Sequence, residues 1–345
     1  MSKLRPSFLG VDLGTTSLAA VLVDGRGKAL QSWTAANPSA GEVRQGRDEQ
    51  DADAILAAAE KLIAQAEAAA KAANRRIVAI GWTGQMHGLV AVDRQLRALT
   101  PFVTWRDKRC QPPRLGVGIM EDWRRRKLKG IYRALSLPGL ALARRTGRCL
   151  VDSTFLSSIG EARELSRFGR WLPEVDESFM LGDNQAGVYA ALRLKPHALV
   201  VNLGTSGQLS QVVGAGERVR LTGPAIDTRP FPGGRRLLCR ASHLGGAALS
   251  RLRRQLGVSW AKLNAEAERN PRIRACIDEI IGDLTTGADL RGIRTIVGLG
   301  NALRLNPCLR KALERNFHAT CFIPEVEEMA AYGAALLVRG AFRRS

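Results

Sequence analysis

Val11-Asp12-Leu13-Gly14-Thr15-Thr16-Ser17 is restated near the middle of the chain as Val201-Asn202-Leu203-Gly204-Thr205-Ser206-Gly207. Each copy follows an apolar run (Phe8 to Val11; Ala198 to Val201) and precedes a second strand-like run (Leu18 to Val23; Gln208 to Val213). Both read as strand-turn-strand hairpins whose turns offer backbone N–H groups and hydroxyls, the donors that hold a phosphate. One such turn is a weak signal, because Gly and Thr end many strands. Two in the same register point to two related halves of one phosphate-handling protein. The copies differ at Asp12 and Asn202: a phosphoryl-transfer site needs a carboxylate for Mg²⁺, whereas a phosphate clamp needs only neutral donors. Asp12 is therefore the metal-side candidate.

Working outward, Asp24-Gly25-Arg26-Gly27 closes the first hairpin, and a helix is expected from Asp51 to about Ala73. Asp51 or Asp53 can cap it, and Ile55, Leu56, Ala59, Leu62, Ile63 and Ala66 share one face. A buried strand follows at Ile77 to Gly81. Late in the chain the unit recurs, with helical spacing of Ile273, Ile277, Ile280, Ile281 and Leu284 and a short strand at Arg294 to Val297. This pattern predicts two related α/β domains facing each other across a cleft, joined near Leu194 to His197, where Lys195-Pro196 breaks the pattern. The stretch from Cys110 to about Glu177 carries no periodicity that places its elements. There is no G-x-x-x-x-G-K-[ST] segment, and the strand before Gly298-Leu299-Gly300 lacks the third glycine of a dinucleotide fingerprint, so neither common nucleotide fold fits.

The 345 residues, 45% of them apolar, are enough for two ordinary cores. No apolar run is long enough to cross a bilayer, and the N-terminus enters a strand with no signal-type segment, so a cytoplasmic protein with no membrane partner is expected. The six cysteines (Cys110, Cys149, Cys239, Cys276, Cys308, Cys321) are widely spaced, without a C-x-x-C pair, and read as reduced thiols, mostly buried. The formal net charge of +20 raises the question of nucleic acid. Outside Arg124 to Lys129 and the shorter clusters Arg253-Arg254 and Arg343-Arg344, basic residues are scattered and no aromatics are interleaved to stack on bases. The expectation is a solvated arginine-rich surface with no specific nucleic-acid partner, which attracts anionic nucleotides and sugar phosphates as a side effect.

Three loops carry further chemistry. Gly182-Asp183-Asn184-Gln185-Ala186 sets an acid and two amides before an Ala-rich helical stretch. There Asp183 either caps the helix or accepts the proton of an attacking hydroxyl, with Asn184 binding a neighbouring hydroxyl. Gln85-Met86-His87-Gly88 follows the strand ending at Gly81 and suits recognition of a polyol. Thr104-Trp105-Arg106-Asp107-Lys108-Arg109 mixes an aromatic with charges of both signs, and reads equally as a surface ion-pair loop around a packed Trp.

The order D-x-G-T-T-S (12–17), Q-M-H-G (85–88), W-x-D-x-R (105–109), G-D-N-Q-A (182–186), N-x-G-T-S (202–206), G-x-G-N-A (298–302) and A-A-x-G-A-A (330–335) resembles the FGGY family of carbohydrate kinases. The resemblance runs from Phe8 to Val338. It implies two ribonuclease H-like domains of the actin, hexokinase and Hsp70 ATPase superfamily, α/β in class and shortened relative to typical members, over residues 7–193 (sugar, metal and γ-phosphate side) and 196–340 (ATP side). Gly298 to Phe317, Thr104 to Cys110 and Ala241-Ser242-x-x-Gly245-Gly246 most resemble sedoheptulokinases, with xylulokinases second.

Carried over, the resemblance implies ATP and Mg²⁺ as cofactors and a small sugar as substrate. Asp12 would meet the metal, and Gly14, Thr15, Thr16 and Ser17 the γ-phosphate. Gln85, Met86, His87, Asp107 and Asn184 would line the sugar site, with Asp183 as general base. Gly204 and Thr205 would hold phosphates, and Gly298, Gly300 and Asn301 would lie against adenosine. Glu328 to Ala335 matches the segment that returns the chain to the hinge. Ala19 departs from the pattern, since family members carry Lys or Arg there. The implied reaction is phosphorylation of a ketose at a primary hydroxyl, sedoheptulose to sedoheptulose 7-phosphate. A pentulose kinase such as xylulokinase, or a shortened relative that binds nucleotide or sugar without turnover, stands as the alternative.

Overall fold

A computed structural model describes residues 4–109 and 115–343. Cys110 and Arg344, named in the sequence analysis, lie outside these residues. The chain divides into two compact units, Met1–Ala190 with Glu328–Ser345, and Ala191–Glu327.

The first unit is built on β1 (Arg5–Leu13), β2 (Ser17–Asp24) and β3 (Ala29–Ala36), an antiparallel meander that the alternation of small turn residues and apolar runs encodes. A two-residue β4 (Glu49–Gln50) precedes α1 (Ala52–Ala72), which Asp51 caps by accepting from the N–H groups of Asp53 and Ala54. Its stripe from Ile55 to Ala66 is buried against the sheet as the periodicity predicts, each large side chain contributing about 1.5–3 kcal/mol. β5 (Arg75–Gly84) then pairs parallel with β1, giving the order β3-β2-β1-β5. Beyond it, β6 (Val90–Val92) pairs with β8 (Arg133–Leu135), β4 with β7 (Phe102–Val103), and β9 (Leu150–Val151) with β10 (Glu174–Val175).

The stretch without readable periodicity also holds α2 (Leu115–Arg125), α3 (Leu137–Thr146), α4 (Ser153–Ile159) and the short α5 (Ala162–Leu165). Trp123, Met120, Phe168 and Trp171 build a second core there. α6 (Asp183–Leu194) leads into the other unit.

The second unit restates the plan. β11 (Leu199–Leu203) and β12 (Gly207–Val213) form its hairpin, and β13 (Ile226–Phe231) and β14 (Arg235–Ser242) extend it. Helices α7 (Gly246–Leu256), α8 (Trp260–Glu266) and α9 (Pro271–Thr285) precede β15 (Thr295–Leu299), which lies parallel to β11. After α10 (Asn301–Leu305) and α11 (Pro307–Phe317) comes β16 (Thr320–Phe322), and the order is β13-β14-β12-β11-β15-β16. The quartet β14-β12-β11-β15 repeats β3-β2-β1-β5 in order and direction, so the doubled phrase marks a doubled topology. The five described cysteines are free thiols, and no described helix is long and apolar enough to cross a membrane.

α12 (Met329–Phe342) closes the first unit, and its composition explains the A-A-x-G-A-A motif. A β-carbon on Gly10 of β1 would lie 1.8 Å from the Ala331 carbonyl oxygen, one on Gly81 of β5 2.2 Å from that of Ala334, and one on Gly333 1.9 Å from that of Ala186. Helix and sheet meet backbone to backbone, which only glycine allows. Gly10→Ala is therefore expected to lower unfolding free energy by about 3 kcal/mol in urea denaturation, the upper range for overpacking. Gly41→Ala, where nothing lies within 4 Å, should change it by less than about 0.5 kcal/mol.

Candidate functional site

Asp12 sits near the end of β1, opposite Ala19 of β2 and Thr83 of β5. The residue is half-buried, but its Oδ1 is fully buried and has no hydrogen-bond partner. Burial, and then the charges of Asp183 and Glu328, push its carboxyl up to about 8. The first unit thus brings together an acid from the first hairpin, one from the start of α6 and one just before α12. Thr83 Oγ1 and both amide atoms of Gln185 are likewise buried without partners. Among the described residues no three Asp, Glu, His or Cys side chains converge as a direct metal cage. One unpartnered carboxylate oxygen beside the unpartnered Thr83 hydroxyl fits a hydrated Mg²⁺, which keeps several waters and takes one or two carboxylates.

The turn after Asp12 is tied down on one side. Thr15 Oγ1 donates to Gln85 Oε1 at 3.3 Å and accepts from Trp105 Nε1 at 3.0 Å, while Gln50 Nε2 donates to the Thr15 carbonyl at 3.0 Å. Asn37 Nδ2 donates to the carbonyls of Gly14 and Thr15. Thr16 and Ser17 are exposed. Of the three hydroxyls read as phosphate ligands, one anchors the turn and two face outward.

The Q-M-H-G and G-D-N loops meet. Gly182 packs so closely on Met86 that a β-carbon there would lie 2.5 Å from the sulfur. His87, in the left-handed region at φ 69°, donates its backbone N–H to Ser158 Oγ at 3.2 Å and sets Nδ1 2.9 Å from the Ser158 carbonyl. A carbonyl only accepts, so Nδ1 carries the proton and, in the neutral ring, Nε2 is the acceptor. The backbone N–H of Asn184 donates to Asp183 Oδ1 at 2.7 Å, fixing that carboxylate.

Two expected sugar contacts are engaged within the protein. Gln85 is 1% exposed, and its amide donates to Gln50 at 2.8 Å while holding Thr15. Asp107, 2% exposed, accepts from Arg109 Nη2 at 2.6 Å and from the Asp48 N–H at 3.0 Å. Burial works against its charge, but the Arg109 hydrogen bonds prevail and hold the carboxyl below its ordinary range. With Arg106 on Asp48 at 2.7 Å, the loop is the ion-pair cluster that the alternative reading describes, yet its Trp105 is 49% exposed rather than packed.

The residues that position Asp183 leave little trace in the sequence. Asp152, fully buried, caps α4 through the N–H groups of Thr154 and Phe155 and accepts the Thr154 hydroxyl at 2.5 Å. Thr154 Oγ1 in turn accepts the Gly182 N–H at 2.8 Å, next to Asp183. Phe179 and Leu181 bond Trp82 of β5 on the other side, at 2.8 and 3.1 Å. Only the D-S-T spacing of a helix cap hints at this relay.

In the second unit the Gly204–Ser206 turn adjoins the first turn of α7. The N–H of Gly246 donates to the Gly204 carbonyl at 2.8 Å, and that of Ala247 to the Thr205 carbonyl at 3.2 Å. Gly204, Thr205, Arg254, Trp260, Asn301 and Leu305 line a pocket of about 550 Å³, within the range of small-molecule sites. Gly300, at φ 86°, lies against Asn202, where a β-carbon would be 2.7 Å from its Oδ1. Gly298 is buried between Cys321 and Ile323 and sets the end of β15 rather than lining the pocket.

Residues 7–137 match the N-terminal domain of the FGGY carbohydrate kinases. These residues are similar to that domain, and they make up less than half of the chain. Among curated relatives, a xylulose kinase of Lactococcus lactis is 30% identical over 128 residues, 35% of this chain and 25% of that protein. A sedoheptulokinase of Homo sapiens is 36% identical over 133 residues, 31% of this chain and 27% of that protein. The matches thus span about a quarter of the relatives' length. The likeness in fold extends further: a xyloylose kinase structure from Brucella ovis superposes with a TM-score of 0.83 at 19% identity, covering 98% of this chain and 91% of that one.

Burial raises Asp152 to about 7, against the pull of the Thr154 hydroxyl and the two N–H groups. The folded state therefore holds this proton more tightly than the unfolded chain. The contribution to stability is complete below about pH 4 and is lost as pH rises through 7. Asp152→Asn should remove that slope: between pH 4.5 and 7 the variant's urea stability should gain on the parent's by up to about 1.4 kcal/mol per pH unit. A difference independent of pH would show Asp152 ionised throughout.

Proposed function

We propose that the protein is an ATP- and Mg²⁺-dependent carbohydrate kinase that phosphorylates a primary hydroxyl of a ketose, with sedoheptulose as substrate and a pentulose such as xylulose as the alternative. The observation that carries this reading is the buried Asp12 carboxylate, grouped with Asp183 and Glu328 behind a turn whose Thr16 and Ser17 face outward. The 36% identity to a sedoheptulokinase supports the seven-carbon sugar, and the 30% identity to a xylulose kinase keeps the five-carbon one in view.

Asp183 is the proposed general base, positioned by Thr154 and β5 to take the hydroxyl proton as the phosphoryl group arrives. Met86, His87 and Asn184 line the sugar, with His87 Nε2 accepting a hydroxyl. Gln85 and Asp107 act through what they hold, Thr15 and the Trp105 loop. Gly14, Thr16 and Ser17 receive the γ-phosphate. Asp12, with Thr83 beside it, would hold the hydrated Mg²⁺, whose charge would offset that of the phosphates. In the second unit Gly204 and Thr205 take phosphates, and Gly300 and Asn301 face adenosine. Trp260 and Leu305 supply apolar wall and Arg254 a cation. Gly298 supports the strand end.

Coupled ADP release over sedoheptulose, xylulose, ribulose, fructose and glycerol tests the reading and ranks the sugars. Asp183→Asn should lower sugar-dependent turnover by at least about 10²-fold while ATP binding by calorimetry stays within about 3-fold of the parent. Full activity in the variant removes Asp183 from the mechanism. Ligand binding by the parent without ADP formation on any sugar would favour a non-catalytic binder.

A further inference from the structure

The first unit carries a second concave surface, apart from the residues assigned above. Arg94, Lys129, Tyr132, Arg133, Arg170 and Trp171 line a groove of about 690 Å³, and no carboxylate is among its lining residues. Several other arginines of this unit are paired with acids: Arg97 with Asp93, Arg125 and Arg126 with Asp122, Arg148 with Glu174 and Arg167 with Glu121. Among the described residues, Arg94, Lys129, Arg133 and Arg170 have no acidic partner within 4 Å. Four unpaired cations therefore converge on one concave surface.

The groove is also held in shape. Arg133 Nη1 donates to the carbonyls of Tyr132 at 2.9 Å and Arg170 at 3.1 Å, joining the two rims. The guanidinium groups of Arg133 and Arg94 lie 4.1 and 5.2 Å from the Tyr132 ring centroid, and that of Arg170 lies 5.7 Å from Trp171. Cation–π contacts of this kind restrict the flat guanidinium forks, which match phosphate oxygens in pairs. They revise the expectation that no aromatic is interleaved with the basic residues, but not toward nucleic acid. The Tyr132 ring is shared by two guanidiniums and Trp171 is 7% exposed, so neither is an open platform for a base.

We infer that this groove is a binding site for a small anion carrying two or more phosphate groups, separate from the proposed phosphoryl-transfer site. Four positive charges, three of them on restrained guanidiniums, match the three to four negative charges of a bisphosphate or diphosphate, and the volume suits a ligand of sugar or nucleotide size. The inference does not depend on the catalytic reading.

The test is calorimetric titration of the full chain with inorganic pyrophosphate at about 0.15 M salt, with citrate and single-stranded RNA as parallel probes. Lys129→Ala/Arg170→Ala, two exposed positions, should weaken pyrophosphate binding at least 10-fold, and Arg94→Ala alone should weaken it in the same direction. Arg124→Ala/Arg251→Ala removes equal charge from exposed positions outside the groove and should leave binding within 2-fold. Absence of pyrophosphate binding to the parent, or equal losses in the two double variants, overturns the site. So does unchanged binding in Lys129→Ala/Arg170→Ala, which would place the anion elsewhere. Citrate binding as tightly as pyrophosphate overturns the phosphate assignment, and RNA binding more tightly through the same residues overturns the small-molecule one.

Discussion

The burial of one carboxylate organises the first unit. Asp12 lies on a strand next to the middle of the sheet, with Asp183 and Glu328 near enough to oppose its ionisation and the uncharged Ala19 opposite it on β2. An acid so placed favours its neutral form until something of opposite charge arrives. The elements around it hold the group in place. α12, which follows Glu328, lies on β1 and β5 through contacts that admit no side chain at Gly10 or Gly81. The Asp152–Thr154 relay and the Trp82 bonds grip the segment before Asp183 from two sides. The closeness of three acids is sustained by packing elsewhere, the pattern expected where function rather than stability selects the residues.

The sheets and the long helices were legible because their signals are local. The α1 stripe, the α9 isoleucines and the two hairpin turns each announce themselves within a dozen residues, and the doubled turn correctly implied a doubled topology. Residues 115–171 were not legible: their elements are short, and their core of Trp123, Phe168 and Trp171 forms by contacts between segments far apart in sequence. Periodicity cannot display such a core.

At the site, residue type was readable and direction was not. Gln85 stands in a loop suited to a polyol and Asp107 in one that the family resemblance assigns to the sugar, yet one holds the Thr15 turn and the other is engaged by Arg109. Whether a polar side chain faces a ligand or the protein depends on partners such as Gln50 and Asp48, which lie tens of residues away and carry no motif of their own. Thr83 shows the converse. Nothing in its neighbourhood marks it, and only the parallel register with β1 sets it beside Asp12.

The two copies of the turn have diverged in support as well as in charge. The Gly14–Ser17 turn is fixed by side chains: Asn37, Gln50, Gln85 and Trp105 all bond it. The Gly204–Ser206 turn is fixed by backbone, through the carbonyls that α7 takes up in its first turn, and a β-carbon on Gly204 would meet nothing within 4 Å. Side-chain anchoring sets one geometry, which agrees with the proposed placing of donors against a reacting phosphoryl group. Backbone anchoring leaves the residue faces open, which agrees with the proposed binding of phosphates there. The substitution of Asn202 for Asp12 fits the same division: the carboxylate stands where the surroundings are fixed most rigidly, and the neutral amide, against Gly300, stands where the binding surface stays open.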